Sequence, residues 1–137
     1  MGQIEIIGID SLIFIYLWEI NREFFKDAKQ ILMRIENNQA LGVFARIGII
    51  ELLTGSKKRG RFSEAAEYKE KISNFPNLLI RDLSPNIIDI ASDLRAKYSL
   101  RTPDAIHIAT AIDAGAVKFI TNDKSLKKVR EIKIELL

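Results

Sequence analysis

Four acidic side chains, far apart in the sequence, stand where chemistry is often carried. Asp10 follows the apolar run "IEIIGI", Glu51 lies inside "IGIIELL", Asp104 opens the apolar segment of "TPDAIHIATAI", and Asp123 closes "FITND". Three have plain structural readings. An aspartate in the first turn of a helix is favoured by the macrodipole, Asp123 has the setting of a turn or cap, and Asp10 that of a cap on a following helix. Glu51 is harder to place, because apolar neighbours surround it and a buried carboxylate without a partner is costly. If the four converge, they raise one another's pKa unless positive charge sits among them. A divalent cation is the natural remedy. All-oxygen ligation suits Mg²⁺ or Mn²⁺, ions that activate water and neutralise charge in phosphodiester hydrolysis.

Convergence depends on the elements that carry these acids. "IEIIGID" is rich in β-branched residues and reads as a buried strand delivering Asp10 at its C-terminal end. A helix is expected from Ser11 to Trp18. A second is expected from Asn21 as N-cap to about Asn37, with Phe24, Phe25, Ala28, Ile31, Leu32 and Ile35 as its apolar stripe. "ALGVFA" reads as strand two, "IGIIELLTG" as a short helix stopped by Gly55, and "FSEAAEYKEKISNF" as a helix closed off by Pro76. Strand three is "NLLIRDL". Ser84 and Pro85 form an N-cap and first-turn pair opening a helix to about Tyr98, with Ile87, Ile88, Ala91 and Leu94 inward. The same signal at Thr102 and Pro103 opens a helix that Gly115 ends. "VKFIT" is strand four, "DKSLKKV" a turn or short helix, and "IKIEL" a last strand. Alternating strands and helices predict an α/β fold of three layers, α/β/α, around a central, mainly parallel sheet. Functional crevices in such sheets lie beyond the carboxyl ends of the strands, where these acids fall.

Composition narrows the alternatives. A chain of 137 residues, 47% hydrophobic and 28% charged, is expected to form a single domain over 1–137 with a proper core. With no cysteine and one histidine, a zinc site built from Cys and His is excluded, so any metal must be held by oxygen. Lys and Arg number 21 against 18 acids, a mild +3 bias that permits nucleic-acid contact without demanding it. The first twenty residues are apolar but broken by Glu5, Asp10 and Glu19, unlike a signal peptide, and no stretch approaches the ~18 uncharged residues of a membrane span. A soluble, cytoplasmic protein is expected.

At these acids the sequence resembles the PIN-domain family, and most of all the VapC-type toxin ribonucleases of VapBC toxin–antitoxin modules. "IDSLIFIYL" is similar to the family's first acid motif, "IIELLTG" to the segment carrying its glutamate, and "LRTPDAIHIATAIDAGAVKFITND" to the segment carrying its third and fourth acids. The resemblance implies a PIN-like fold, a Mg²⁺- or Mn²⁺-dependent endoribonuclease, a homodimer, and a small antitoxin partner that blocks the site. It assigns Asp10, Glu51, Asp104 and Asp123 as the catalytic and metal-binding quartet, with Ser11 as the supporting hydroxyl. The expected reaction is in-line attack of an activated water on phosphorus, leaving a 5′-phosphate and a 3′-hydroxyl. Leu12, where many relatives have a small polar residue, and Ala45, Arg46 and Gly48, where Ser or Thr is common, depart from the pattern. They leave the acids intact and fall on positions that orient ligands.

Other signals carry less. "GSKKRGRF" has the glycine spacing of a phosphate loop, but Arg61 and Phe62 replace the Lys and Ser/Thr that such a loop needs. Its Lys57, Lys58, Arg59 and Arg61 read as a solvated loop, and otherwise as candidate RNA-phosphate contacts. His107, three residues after Asp104, reads as a structural histidine among Ile and Ala. Asp93 and Lys97 have the spacing of a helical ion pair. The aromatics Phe14, Tyr16, Trp18, Phe24 and Phe25 read as core or dimer interface. A receiver-like domain would have an acidic pair after strand one, and a haloacid-dehalogenase-type phosphatase a second Asp at position 12, where this chain has Leu12. A non-catalytic PIN scaffold that binds RNA or protein, and a housekeeping PIN nuclease, remain as alternatives.

Overall fold

The strand order β3-β2-β1-β4-β5 puts the first strand in the middle of a five-stranded sheet. In this computed structural model, which describes residues 4–137, the strands are β1 (Glu5–Ile9), β2 (Ala40–Ala45), β3 (Leu78–Arg81), β4 (Lys118–Thr121) and β5 (Lys133–Leu136). All four pairings are parallel. The helices are α1 (Ser11–Trp18), α2 (Phe25–Glu36), α3 (Gly48–Lys58), α4 (Phe62–Ser73), α5 (Pro85–Tyr98) and α6 (Thr102–Asp113), with a 3-10 turn at Lys124–Lys128. Central β1 is buried at Ile7 and Ile9, whereas edge strand β3 is half exposed. That contrast is what a parallel sheet covered on both faces requires.

Two apolar cores flank the sheet. One joins Ile7, Ile9 and Ile120 of the strands to Phe14, Leu32, Leu52 and Ile72 of α1 to α4. The other joins Phe119 and Ile134 to Ile87, Leu94 and Ile108 of α5 and α6. Adjacent Phe119 and Ile120 therefore feed opposite layers, as the alternation of a strand dictates. Phe14 is the aromatic hub, with ring centroids 5.5 Å from Trp18, 5.2 Å from Phe44 and 5.4 Å from Phe75. The three-layer α/β/α architecture expected from the sequence is present.

Three local readings are corrected. Gly55 does not stop α3, which runs on to Lys58. Ser56 just after it is buried and donates to Glu64 Oε2 at 2.7 Å, tying α3 to α4, and the chain reverses at Gly60 with φ +71°. Asn21 is not the N-cap of α2. Its Oδ1 accepts from the backbone N–H of Glu23 and Phe24 at 3.0 and 2.9 Å, making a side-chain turn that delays the helix to Phe25. On α5, Ile87, Ala91 and Leu94 face inward, but Ile88, one residue round the helix, is 50% exposed.

Ser84 does cap α5, its side chain accepting from Ile87 N at 3.2 Å. Because α5 braces α6, this cap supports the site from a distance. Ser84→Ala is expected to cost about 1 kcal/mol, read as a lower urea midpoint at unchanged slope.

Candidate active site

The order of the sheet reverses between β1 and β4, and a crevice opens beyond their carboxyl ends, where α/β sheets bind ligands. Asp10 sits there as the first residue after β1, and its backbone N–H donates to Ile120 O at 3.0 Å. Its carboxylate does not cap α1. Oδ2 accepts from the buried Thr121 hydroxyl at 2.6 Å, and Oδ1 from Ser11 Oγ at 3.3 Å. Only 6% of the residue is exposed. Burial pushes the Asp10 pKa above the ordinary carboxylate range, against the opposing pull of His107 and Thr121. The chain has thus placed an acid where its ionised form is poorly solvated.

Glu51 lies in the first turn of α3, near the positive end of that helix dipole. Its partner is His107: Nε2 lies 2.6 Å from Oε1. A carboxylate only accepts, so Nε2 is the donor. Burial raises the Glu51 pKa, but the hydrogen bond and electrostatic pull of His107, with Ser11 and Arg101 adding to them, outweigh it and hold the pKa below normal. The Ser11 hydroxyl, bonded to Asp10, lies between the two acids. His107 is buried between Phe44 and Phe119, with centroids 5.7 and 6.5 Å away, and its Nδ1 has no hydrogen-bond partner among the described residues. Gly48 makes this packing feasible. A Cβ there would fall 2.5 Å from Phe44 Cζ and 2.6 Å from His107 Cε1.

Asp104 is carried by α6, which begins differently from expectation. Arg101, not Thr102, is the N-cap, no side chain caps the helix, and Thr102 and Pro103 are its first two residues. Asp104 is thereby the third helical residue, where exposed backbone N–H groups and the dipole favour an anion. Arg101 Nε donates to Asp104 Oδ2 at 3.1 Å. The apolar residues that follow, Ala105, Ile108 and Ala109, are fully buried and fix the helix in the core. Asp123, after β4, caps the 3-10 turn: Oδ1 accepts from the backbone N–H of Ser125 at 2.9 Å and from its hydroxyl at 2.7 Å. The structural reading of Asp123 as a cap is correct for one oxygen.

All four acids line one crevice of about 160 Å³, together with Ser11, Leu12, Ile15 and Arg101. Among the described residues, however, no three His, Asp or Glu side chains are gathered into a ready ligand set. The donors are nevertheless of the right kind. They are carboxylate oxygens suited to a hard cation, and Asp10 is a buried acid that accepts from the hydroxyls of Ser11 and Thr121. The basic cluster lies elsewhere. Arg59 pairs with Glu19 at 3.1 Å and Glu64 at 3.7 Å, Arg59 and Arg61 line a hollow with Trp18 and Tyr68, and Lys57 lines another with Phe62. Neither these residues nor Lys58 line the acidic crevice.

Sequence reasoning passed over three residues of the site. Thr121, His107 and Arg101 each hold one of the acids. The partners of Thr121 and His107 lie far away in sequence, whereas Arg101 stands three residues before Asp104. Of the departures noted above, Leu12 lines the crevice, while Arg46 is exposed and paired with Asp82 away from it. Asp93 does not pair with Lys97, which reaches Glu131 at 3.4 Å.

The chain matches no curated protein sequence. Solved structures match it over nearly their whole length. A chain of a toxin–antitoxin complex from Klebsiella pneumoniae is 24% identical, with 93% of this chain and 94% of that one covered and a TM-score of 0.69. VapBC2 from Rickettsia felis, bound to a DNA fragment from its promoter, gives 16% identity, 96% and 98% coverage and a TM-score of 0.75. VapC20 of Mycobacterium tuberculosis, a toxin that cleaves the sarcin–ricin loop, gives 13%, 94%, 99% and 0.71. At such identities the likeness speaks for the fold. The PIN domain profile matches residues 7–132. Since that span runs from within β1 to just short of β5 and takes in every element framing the crevice, the chain belongs to the PIN domain family.

Proposed function

We propose that this protein is a divalent-metal-dependent endoribonuclease and the toxin of a type II toxin–antitoxin module. The observation that carries this reading is the convergence of Asp10, Glu51, Asp104 and Asp123, from four distant stretches of chain, on one crevice at the switch point of the sheet. A bound Mg²⁺ or Mn²⁺ would supply a water of lowered pKa and neutralise charge on the phosphate. The residues have distinct tasks. Asp10 and Asp104 would hold the ion, and Glu51 and Asp123 would complete the site. Ser11 and Thr121 fix the Asp10 carboxylate, and His107 fixes that of Glu51. Rigid mounts of this kind place donors before substrate arrives.

The partners that go with this reading are an RNA substrate, a cognate antitoxin and a second copy of the chain. Support for the antitoxin comes from the structural relatives, several of which are VapBC complexes. The homodimer rests on the resemblance alone. Among the described residues no helix is long and apolar enough to cross a membrane. Lys57, Lys58, Arg59 and Arg61 would hold RNA only outside the crevice, along the far end of α3. One observation favours a second reading. Without a ready ligand set among the described residues, a non-catalytic scaffold that binds RNA or protein is the competing function.

Metal dependence separates the two. Protein stripped with EDTA should leave a structured RNA intact, and added Mn²⁺ should restore cleavage with 5′-phosphate ends. Undiminished cutting in EDTA sinks the metal mechanism, and no cutting under any metal condition favours the scaffold.

A further inference from the structure

The positive charge in the crevice belongs to the protein itself. Arg101 lines the hollow with all four acids, bonds Asp104 through Nε, and lies close enough to Glu51 and Asp123 for their charges to act on it. The two partners of the ion pair differ in freedom. The Asp104 side chain is 14% exposed and set on the buried helix α6, whereas that of Arg101 is 75% exposed. Apart from Asp104, no hydrogen-bond partner holds the guanidinium among the described residues. Arg101 is therefore a long, exposed side chain tethered to a carboxylate set on a buried helix.

We propose that Arg101 is the resident counter-cation of the metal-free crevice and competes with the divalent ion for Asp104. This rests on the metal-dependent reading given above. In the metal-free protein, one guanidinium relieves the repulsion among converging acids that would otherwise oppose folding. Loading a divalent ion onto Asp104 breaks the Nε–H···Oδ2 bond, and any guanidinium left nearby repels the incoming charge. Between +1 and +2 centres several ångströms apart at an exposed site, that repulsion weakens binding by roughly tenfold. Arg101 thus tunes the site towards weaker, more readily exchanged metal.

The test is a calorimetric titration of Mn²⁺ into the full-length protein at low salt, comparing wild type, R101Q and R101K. R101Q should bind roughly five- to tenfold more tightly, and R101K, which keeps the charge, should stay near wild type. In EDTA, R101Q should melt below wild type, and Mn²⁺ should abolish the difference. An R101Q affinity equal to or weaker than wild type overturns the proposal, since Arg101 would then be neutral towards the ion or an aid in orienting Asp104. An R101K affinity that matches R101Q overturns the charge argument as well. Absence of Mn²⁺ binding in all three proteins defeats the metal reading and this inference with it, a result distinct from equal binding, which defeats the inference alone.

Discussion

Asp10→Asn is expected to lower Mn²⁺-dependent RNA cleavage by roughly a hundred- to a thousandfold while raising the melting temperature of the metal-free protein. The loss of activity follows from position. Asp10 is the most buried of the four acids, and it stands where β1 and β4 part to open the crevice. Asparagine keeps the shape but loses the charge that attracts a cation, and the Thr121 hydroxyl can either donate to it or accept from it.

The stability gain follows from the sign of the pKa shift. Burial raises the Asp10 pKa above its ordinary value of 3.8, so the unfolded chain gives up this proton before the folded one does. As pH rises from 3.8 through the folded pKa, this group makes the folded state less favourable, and at neutral pH the ionised carboxylate stays a burden. The neutral asparagine removes that burden. With Mn²⁺ present the order should invert, because ligand binding stabilises only the protein that binds it. Melting curves in EDTA and in Mn²⁺ should therefore cross over between wild type and variant. A variant that melts lower in both conditions would mean that Asp10 serves the fold and not the site.

Legibility of this molecule in its sequence divides along a physical line. Strand positions were plain because β-branched runs bounded by turn residues admit few other structures, and the sheet order places Asp10 and Asp123 together without reference to side chains. The acids were legible for a related reason, since Asp10, Asp104 and Asp123 border strong local patterns and Glu51 interrupts one. What escaped was set by contacts between distant segments. Gly55 looked like a helix stop because its neighbour Ser56 gave no hint of the bond to Glu64 that carries α3 onward. Arg101 looked like a residue ahead of a cap, because only the folded crevice brings its guanidinium among four acids. His107 looked structural, and it is buried, yet its ring spans from the core to Glu51, 56 residues away in sequence. A pattern of spacing along one helix relates His107 to Asp104, but the partner that matters lies on another helix.

That contact makes His107 the second position where a large effect is expected. His107→Ala removes a ring that is 3% exposed between Phe44 and Phe119, and leaves a void beside Gly48 that the backbone cannot easily fill. A loss of about 2–4 kcal/mol is expected, from the cavity and from the broken bond to Glu51 together. His107→Gln separates these two causes. A glutamine amide nitrogen can occupy the place of Nε2 and donate to Glu51 Oε1, so this variant should lose packing but retain much of the positioning. Cleavage in the alanine variant should fall roughly ten- to a hundredfold, the usual effect of removing the group that orients a ligand, and glutamine should recover most of it. The pH dependence gives an independent check. Because His107 holds the Glu51 pKa down, ionised Glu51 contributes stability that is present above its ordinary value of 4.5 and lost as pH falls through the folded pKa. Once His107 is gone, only Ser11 and Arg101 oppose the effect of burial on Glu51, and most of that contribution is lost. The gap between wild type and H107A in urea midpoint should therefore narrow on acidification, while the part due to the cavity persists. A gap that stays constant with pH, with H107Q as inactive as H107A, would assign His107 to packing alone and leave Glu51 to be held by Ser11 and Arg101.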